Sequence, residues 1–261
     1  GIEVPDDSSQ IIWVWFDALS NYINALGYGT DGGELFEKYW EKNKNILHII
    51  GKGILRFHAV YWPVMLLSAG LNLPKEIFIH GYFTIGGEKI SKSLGNVITP
   101  KELVDKFGVD GTRYLLITSL AYGKDGDISW EKLTEKYNAD LANNLGNLVS
   151  RVIALNKKQK IKNKKHILKI KNLDKLYKEF KLKEILDEIW KQIDWANKYI
   201  EQKRLWELAK EKPEEAKKIL AELLSLIAEI GQALSPFFPE TSEKIAQILK
   251  TNQAQPLFPR L

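Results

Sequence analysis

Residues 76–96 of the chain read EIFIHGYFTIGGEKISKSLGN. Apolar and aromatic residues over 76–83 predict a β-strand, and the glycine pair that follows predicts a tight turn. The residues after the turn do not fit the phosphate loop G-x-x-x-x-G-K-[ST]. We interpret them as a mobile cationic loop that stabilises negative charge developing in a transition state; the alternative is a polar turn without a ligand. The residues that would carry this chemistry are Lys89, Ser91, Lys92 and Ser93.

The segments before this stretch alternate between two kinds of secondary structure. Short apolar runs at 10–16 and 45–50 predict two further strands, and helices are predicted at 17–26 and 55–69. Strands that alternate with helices are typical of a parallel sheet covered by helices. Since a doubly wound sheet has about five or six strands, we expect only part of such a sheet here.

The second half of the chain has a helical pattern. Apolar residues recur at steps of three and four from 133 to 155, which predicts one long amphipathic helix. Further predicted helices span 173–210, 214–233 and 240–250, and together they predict a helical bundle. Residues 157–171 contain eight lysines and no acid, and we interpret them as a solvated or disordered connection. Within the bundle we expect Trp190 and Trp195 to lie in the core.

The predicted fold is therefore α/β plus all-α. A partial parallel-sheet, Rossmann-like nucleotide-binding domain is followed by a linker region and a helical-bundle domain. The predicted boundaries are 1–98, 99–130 and 131–261. In the linker region, helices are predicted at 100–106 and 110–120, with Thr99 as N-cap and Pro100 as first helical residue. The opening residues 1–9 predict a loop.

Composition excludes several classes of protein. The chain has 261 residues, 44% of them hydrophobic, which is enough for one or two domains. It has no cysteine, which excludes disulfide frameworks and thiolate zinc sites, and its four histidines are not spaced as metal ligands. No apolar run reaches the roughly 18 residues of a membrane span, and no signal peptide is evident. We therefore expect a cytoplasmic protein without membrane contact.

Positive charge is concentrated in the second half of the chain. Residues 1–130 contain 12 Lys/Arg and 15 Asp/Glu, a net charge of −3, whereas residues 131–261 contain 26 and 18, a net charge of +8. The second half is therefore the candidate for binding a polyanion. A lysine-rich solvated surface is the alternative.

Four segments of the chain resemble one family. KISKS at 89–93 resembles the KMSKS signature of class I aminoacyl-tRNA synthetases, with Ile in place of Met. Its setting, HGYFTIGGEKISKSLGN, resembles the methionyl-tRNA synthetases in particular. The same is true of VWFDALSNY at 14–22, IGKGILRFHAVYWP at 50–63 and PLFPR at 256–260. The resemblance covers nearly the whole chain.

The resemblance implies that methionine and ATP, with Mg²⁺, form methionyl-adenylate, and that methionine then passes to tRNA(Met). Lys92 would stabilise the pyrophosphate leaving group, with support from Lys89. The implied ATP-binding residues are Gly51, Gly53, His80, Phe83 and Lys92. The implied methionine-binding residues are Trp15, Ala18, Leu19, Tyr22, Ile54, His58 and Tyr61. No zinc is expected in this chain, because the family's zinc-binding insertion is absent.

Aromatic walls suit the polarisable thioether of methionine, and the Tyr22 hydroxyl and a His58 nitrogen would distinguish sulfur from a methylene group. From the residues alone, Trp15 and His58 are instead interpreted as core residues. The family usually has an acid at the position of Gly53, so a contact of that acid with the ATP ribose is in question here.

Asn143, Asn147 and Arg151 recur at four-residue steps, on a stripe away from the apolar one. Their planar polar groups suit the base edges of a loop in RNA. The resemblance implies that Asn147 and Arg151 read the CAU anticodon and that Trp206 stacks on one of its bases. From the residues alone, these would be solvent-facing polar residues and a core tryptophan.

Class I synthetases also need a HIGH-type motif, and RFHAV at 56–60 is not one. We therefore expect this chain to represent the C-terminal half of the enzyme, inactive alone, with a companion chain or missing N-terminal half supplying that motif. One alternative is a stand-alone anticodon-binding module without catalysis. Another is a class I synthetase for valine, leucine or isoleucine, against which Tyr22 and His58 argue.

Overall fold

A computed structural model describes residues 1–90, 97–120, 123–159, 161 and 173–261. Three of the predicted loop residues, Ser91, Lys92 and Ser93, lie outside this range, as does most of the lysine-rich stretch. The chain divides into two compact units, Gly1–Tyr82 and Phe83–Leu261.

The first unit opens on a β-hairpin, so the predicted loop is wrong. Strand β1 (Glu3–Val4) pairs antiparallel with β2 (Asp7–Ile11), and Asp6 in the turn has φ 70°. Aspartate tolerates this conformation better than most residues. Nearly every residue of the hairpin is exposed, so no apolar alternation marks the strands in the sequence.

The predicted strand at 10–16 is wrong for most of its length. Strand β2 ends at Ile11, and helix α1 spans Val14–Asn24. The apolar run covers the end of a strand and the first turn of a helix, and a short apolar run does not distinguish the two by its period. Leu19 and Ile23, four residues apart and both buried, define the inner face of the helix.

The centre of the first unit is a pair of parallel strands. Strands β3 (Leu47–Gly51) and β4 (Glu76–His80) pair in register along their whole length, as predicted for 45–50 and most of 76–83. The helical path from β3 to β4 consists of a 3₁₀ turn at Lys52–Ile54, a π-helical turn at Phe57–Tyr61 and helix α3 at Trp62–Ser68. Between α1 and β3 lie the short helix α2 at Glu34–Phe36 and a π-helical turn at Glu37–Glu41.

A small apolar core holds these elements together. Its fully buried members are Leu19, Ile23, Phe36, Trp40, Trp62 and Leu66. Other large apolar side chains of the first unit stay exposed. Ile49 in β3 is 65% exposed, and Val60, Val64 and Leu67 form a helical stripe that is half or more exposed. The described part of the unit therefore leaves apolar side chains exposed both on β3 and on the outer side of the helical path after it.

The second unit begins with a separate three-stranded sheet. Its order is β6 (Glu88–Lys89), β5 (Phe83–Ile85), β7 (Gly126–Asp127), with β5 antiparallel to β6 and parallel to β7. The strand predicted at 76–83 is therefore two strands in two sheets, because β4 ends at His80 and β5 begins at Phe83.

Helix α4 (Pro100–Ser119) combines the two helices predicted for the linker region. Gly108, with φ 70° and ψ 171°, interrupts it and marks the predicted break. The predicted cap at Thr99 is confirmed. The Glu102 backbone N–H donates to Thr99 Oγ1 at 3.2 Å, and the Thr99 backbone N–H donates to Glu102 Oε2 at 2.8 Å.

The rest of the second unit is helical, as predicted. Helix α5 (Trp130–Lys136), a π-helical stretch (Tyr137–Gly146) and α6 (Asn147–Gln159) follow one another without a gap. The later helices are α7 (Leu173–Lys178), α8 (Leu182–Gln202), α9 (Leu205–Glu211), α10 (Pro213–Leu234) and α11 (Pro239–Thr251). The single helix predicted at 173–210 is thus broken twice, close to Phe180 and Arg204, both of which have positive φ.

The predicted apolar stripe forms the core of this bundle. Leu141, Leu145, Leu148 and Val152 are completely buried. Trp190 is buried as predicted, but the prediction for Trp195 is wrong: it is 48% exposed and stacks on Tyr199, with ring centroids 4.9 Å apart. Over the described part of the chain, no helix is both long enough and apolar enough to cross a bilayer.

Candidate functional site

A tyrosine–histidine pair joins α1 to the helical path after β3. Tyr22 Oη lies 2.8 Å from His58 Nε2, and His58 Nδ1 lies 3.0 Å from the carbonyl oxygen of Ile54. A carbonyl oxygen only accepts hydrogen bonds, so Nδ1 carries a proton and donates to Ile54; in the tautomer protonated at Nδ1 alone, Nε2 accepts a hydrogen bond from the Tyr22 hydroxyl. His58 is 2% exposed, so both of its nitrogens are satisfied inside the protein. His58 thereby also agrees with the prediction made from the residues alone, which is that it lies in the core.

A second buried histidine lies behind this pair. Trp62 Nε1 donates to His48 Nε2 at 3.1 Å, and the His48 ring lies 4.4 Å from that of Tyr22 and 5.9 Å from that of His58. Burial, and to a smaller degree the neighbouring His58, lowers the pKa of His48 to about 4. Burial also raises the pKa of the Tyr22 hydroxyl. Burial therefore favours the neutral forms of His48 and Tyr22.

Aromatic side chains surround the Tyr22–His58 pair. Trp15 stacks on Phe57 with ring centroids 4.0 Å apart, and Trp13 meets Tyr61 edge-on at 4.9 Å. Trp15 is half-buried, not a core residue. Of the other predicted methionine-binding residues, Ile54 and Tyr61 are half-buried, Leu19 packs in the core and Ala18 is exposed.

This geometry limits how the site contacts a thioether. Because the Tyr22 hydroxyl proton is committed to His58, and His58 Nδ1–H to Ile54, neither group donates to sulfur in this arrangement. To donate to the sulfur of a thioether, the Tyr22 hydroxyl would have to rotate its proton away from His58 Nε2. Aromatic contact with sulfur needs no such change.

Two strand ends form a second group of predicted residues. Gly51 pairs with His80 at the carboxyl ends of β3 and β4. His80 Nδ1 lies 2.8 Å from the Gly81 carbonyl oxygen, so this nitrogen carries the proton and Nε2 is an acceptor. A Cβ atom at Gly53 would lie 1.8 Å from Tyr82 Oη, so the phenol occupies the place of a side chain at position 53. The remaining predicted ATP-binding residue within the described range, Phe83, begins β5 in the second unit.

The cationic loop follows the β5–β6 hairpin. Gly86 and Gly87 have φ of 62° and 81°, the conformation of a tight two-residue hairpin turn. Asp127 Oδ1 accepts from the Gly87 backbone N–H at 2.9 Å and from Thr84 Oγ1 at 3.1 Å. Hydrogen bonds from Lys132 and then from Gly87 lower the pKa of Asp127 to about 2. Lys89 lies in β6, but its side chain, like Ser91, Lys92 and Ser93, falls outside the description.

The predicted RNA-binding residues meet on the second unit. The Arg151 guanidinium lies 6.0 Å from the centre of the Trp206 ring, and it donates to Glu201 Oε1 at 2.7 Å. Trp206 is 38% exposed and Asn147 is exposed, so the tryptophan is not a core residue. Asn147 and Arg151 line an open depression of about 530 Å³ between α6 and α8.

Sequence reasoning missed the opposite wall of this depression. Asn144 Nδ2 donates to Asp194 Oδ1 at 2.7 Å, and Asn197 Nδ2 donates to Asn144 Oδ1 at 2.7 Å. Asp194, Asn197 and Glu201 lie on one stripe of α8, at spacings of three and four residues. The sequence shows that spacing. It does not show that this stripe of α8 bonds to Asn144 and Arg151. The depression therefore combines two cations, Arg151 and Lys198, with two carboxylates and several amides.

Among the described residues, no group of three or more His, Asp or Glu side chains is arranged to hold a metal ion.

Comparison with known proteins identifies the family. A family model described as "tRNA synthetases class I (M)" matches residues 1–153, and one described as "Anticodon binding domain of methionyl tRNA ligase" matches residues 155–259. The chain belongs to the methionyl-tRNA ligase family. The family predicted from the sequence is confirmed.

Individual relatives of this methionyl-tRNA ligase family agree with the assignment. The methionine–tRNA ligase of Clostridium acetobutylicum is 43% identical over 94% of this chain, and that of Thermotoga maritima is 41% identical over 94%. The chain spans about two-fifths of the length of these relatives, 40% and 41% respectively.

Solved structures of the same family match the fold. Mycobacterium tuberculosis methionyl-tRNA synthetase in complex with methionyl-adenylate has a TM-score of 0.84 and 32% identity, with 100% of this chain and 58% of that chain covered. Its apo form has a TM-score of 0.78 at 30% identity, again with 100% and 58% covered. The predicted class, α/β plus all-α, is thereby confirmed.

Proposed function

We propose that this chain contributes the methionine pocket, part of the ATP site and the anticodon-reading helices of a methionine–tRNA ligase. The observation that carries the proposal is the hydrogen-bonded Tyr22–His58 pair beside aromatic rings, in a member of the methionyl-tRNA ligase family. An aromatic site suits the methionine side chain, which is apolar and polarisable. Methionine, ATP and tRNA(Met) are the proposed substrates, and the cytoplasm is the proposed location.

In the proposed first step, a carboxylate oxygen of methionine attacks the α-phosphorus of ATP. The bond from that phosphorus to the bridging oxygen breaks, and pyrophosphate leaves with the electron pair. Positioning and charge stabilisation dominate such displacements. Lys92, supported by Lys89 and the hydroxyls of Ser91 and Ser93, is the proposed stabiliser of the leaving group. Mg²⁺ is proposed as the counter-ion of the substrate ATP.

Contacts of the Gly86–Gly87 turn, which precedes the proposed loop, support this role. Asp127 holds the Gly86–Gly87 turn through the Gly87 backbone N–H and is itself paired with Lys132 at 2.6 Å. The base of the hairpin is therefore fixed from outside the loop.

In the proposed second step, methionine passes to tRNA(Met), whose anticodon contacts α6 and α9. Arg151 and Asn147 would read base edges, and Trp206 would stack on a base. Support comes from the adjacency of the Arg151 guanidinium and the exposed Trp206 ring.

We also propose that residues 99–130 link a catalytic part, 1–98, to an anticodon-binding part, 131–261.

Catalysis by this proposal needs a segment that carries the HIGH-type motif. The exposed apolar side chains of the first unit, Ile49 in β3 and separately the stripe Val60, Val64 and Leu67, support the docking of such a segment. Burying such residues on a partner surface is favourable. We therefore propose that the chain alone is inactive in amino-acid activation.

The proposal is tested by methionine-dependent ATP–pyrophosphate exchange, with and without the HIGH-bearing segment. We expect exchange only when both parts are present. Lys92→Ala should slow exchange by about a hundredfold or more, because it removes charge stabilisation in the transition state, while methionine binding stays the same. If Lys92→Ala weakened methionine binding as much as it slowed exchange, the proposed role of Lys92 would be wrong.

The RNA part is tested with a matched pair of tryptophan variants. Trp206→Ala should lower tRNA charging by about tenfold, corresponding to the loss of one stacked base, and leave pyrophosphate exchange intact. Trp195→Ala is the control, because Trp195 is similarly exposed and stacks on Tyr199 of its own helix. Equal losses in the two variants would contradict the assignment of Trp206.

A second candidate function is a stand-alone anticodon-binding module. The continuous buried core of the second unit, compared with the exposed apolar side chains of the first, favours it. In that case the chain binds tRNA(Met), but adding the HIGH-bearing segment produces no exchange.

A further inference from the structure

An open groove lies between α10 and α11 in the second unit. Its volume is about 980 Å³, and its lining comes from α10, α11, the end of α6 and Ile161. Because α10 and α11 are joined by only the residues 235–238, they run antiparallel as neighbours. Gly231 brings them close, since a Cβ atom there would lie 2.9 Å from Ile245 Cγ2. The groove is therefore formed by packed helices within one compact unit.

The two ends of the groove differ in chemistry. Ser235 and Ser242 line the end next to the α10–α11 connection, whereas Lys157 and Lys250 line the other end. The lining between these ends consists of small or apolar residues, namely Ala228, Gly231, Ile245, Ala246 and Leu249. The groove thus offers an apolar floor with hydroxyl groups at one end and two cations at the other.

The cationic end is held by a buried asparagine. Asn156, which is 2% exposed, donates from Nδ2 to Asn252 Oδ1 at 2.9 Å and to the Ile161 carbonyl oxygen at 3.1 Å. Its Oδ1 accepts from the Ile161 backbone N–H at 3.0 Å. These bonds tie the C-terminal ends of α6 and α11 together, so the end of the groove is formed before any ligand arrives.

The charge of the groove is positive. Lys157 and Lys250 are exposed, and neither ammonium group is paired with a carboxylate of another described residue. None of the described residues that line the groove is acidic, and the nearest acids in the sequence, Glu229 and Glu243, are not among them. An anionic group is therefore the complementary partner for this end.

The size of this charge indicates the kind of anion. Each lysine lies in the last turn of its helix, where it offsets a partial negative charge of about half a unit. Two ammonium groups beside two such helix ends leave about one positive charge. This suits a carboxylate better than a phosphate monoester, whose charge is about −1.5 to −2.

The dimensions of the groove favour a small molecule over a protein segment. Pockets for small molecules have volumes of about 300–1,000 Å³, and this groove falls within that range. Its wall on α10 extends from Ala228 to Ser235, which is two helical turns or about 10 Å. That is short for a stable protein interface, which buries about 800 Å² on each partner.

We propose that this groove binds a small apolar molecule that carries one carboxylate. The apolar part lies along the floor, and the carboxylate pairs with Lys157 and Lys250. The inference is independent of the proposed function, because none of the residues proposed for the methionine, ATP and anticodon sites lines the groove.

The first test compares two probes with the same hydrocarbon chain and opposite charge. Octanoate and octylammonium are titrated into the isotopically labelled full chain at pH 7, and the amide signals are followed by NMR. Octanoate should shift amides of groove residues such as Gly231 and Ala246, and it should bind about tenfold more tightly than octylammonium. Equal affinities, or octanoate shifts that are absent or centred outside the groove, would overturn the proposal.

The second test removes the cations. Lys157→Gln and Lys250→Gln should each weaken octanoate binding by about two- to fivefold, as expected for an exposed ion pair, and the double variant by about tenfold. Lys244→Gln is the matched control, because Lys244 is an exposed lysine of α11 that does not line the groove. If the control lost as much affinity as Lys250→Gln, or if the double variant lost none, the proposal would fail.

The third test fills the groove. Ala246 is exposed on α11 and lines the floor, so the indole of Ala246→Trp should occupy the place of the hydrocarbon chain. Octanoate binding should be lost while the melting temperature is kept. Unchanged binding in this folded variant would contradict the proposed place of the ligand. If Ala246→Trp does not fold, the lysine variants, which change only exposed side chains, decide the question.

Discussion

Acidification should destabilise the first unit through His48. This ring is 5% exposed, and its Nε2 accepts the indole N–H of Trp62 at 3.1 Å. An indole nitrogen only donates, so protonation of His48 Nε2 breaks this hydrogen bond. Protonation also places a charge in a buried site 5.9 Å from the ring of His58. Both effects favour the neutral form in the folded state.

The size and sign of the effect follow from the pKa of His48, which burial lowers from the ordinary value of 6.5 to about 4. As pH falls below 6.5, the unfolded state binds the proton first, so the free energy of unfolding decreases. The loss continues until the pH reaches about 4, where the folded state also becomes protonated. A pKa difference of this size corresponds to a loss on the order of 3 kcal/mol between pH 7 and pH 4.

The assay is urea unfolding at several pH values between 7 and 4, combined with a histidine titration by NMR. His48→Gln keeps an acceptor for Trp62 but does not titrate, so its stability should fall less over this range. The parent chain, measured in parallel at each pH, is the reference. A His48 titration near 6.5, or an unchanged pH dependence in His48→Gln, would refute the reasoning.

Two further predictions concern the helices of the second unit. Asp110→Ala should lower the free energy of unfolding by about 2–3 kcal/mol, because the buried Asp110 Oδ2 accepts from the Thr241 backbone N–H at 2.6 Å and from Thr241 Oγ1 at 2.7 Å. Urea unfolding measures this loss, and a loss below about 0.5 kcal/mol would contradict it. Gly231→Ala should lower the melting temperature although alanine favours helices, because its Cβ would lie 2.9 Å from Ile245 Cγ2. Calorimetry measures this shift, and a higher melting temperature would show that the two helices adjust without strain.

The sequence predicted those elements whose signal is local. The stripe through Leu141 and Leu145 repeats with the helical period, and Thr99 has both a glutamate three residues later and a proline at the next position. These signals depend on neighbours along the chain. The family segments were equally visible, because each is a continuous stretch of residues.

Other features depend on partners that are distant in the sequence. Trp195 was predicted as core from its residue type, but the buried side of α8 is the one that carries Trp190, Ile193 and Ala196. Asp127 contacts the Gly87 turn from 40 residues away. A helical period or a strand pattern contains no information on such pairs, since they arise only when elements pack together.

The two groups of candidate site residues in the first unit differ in their exposure to solvent. On the methionine side, the polar atoms of Tyr22 and His58 pair with each other and with the backbone, inside aromatic walls. On the nucleotide side, Gly53 and His80 are exposed to solvent. Charge stabilisation is stronger where water is excluded, so a developing negative charge at the exposed edge needs a further cover. Under the proposed function, methionine recognition would therefore depend mainly on this chain, whereas the chemistry on ATP would also need a cover for this edge.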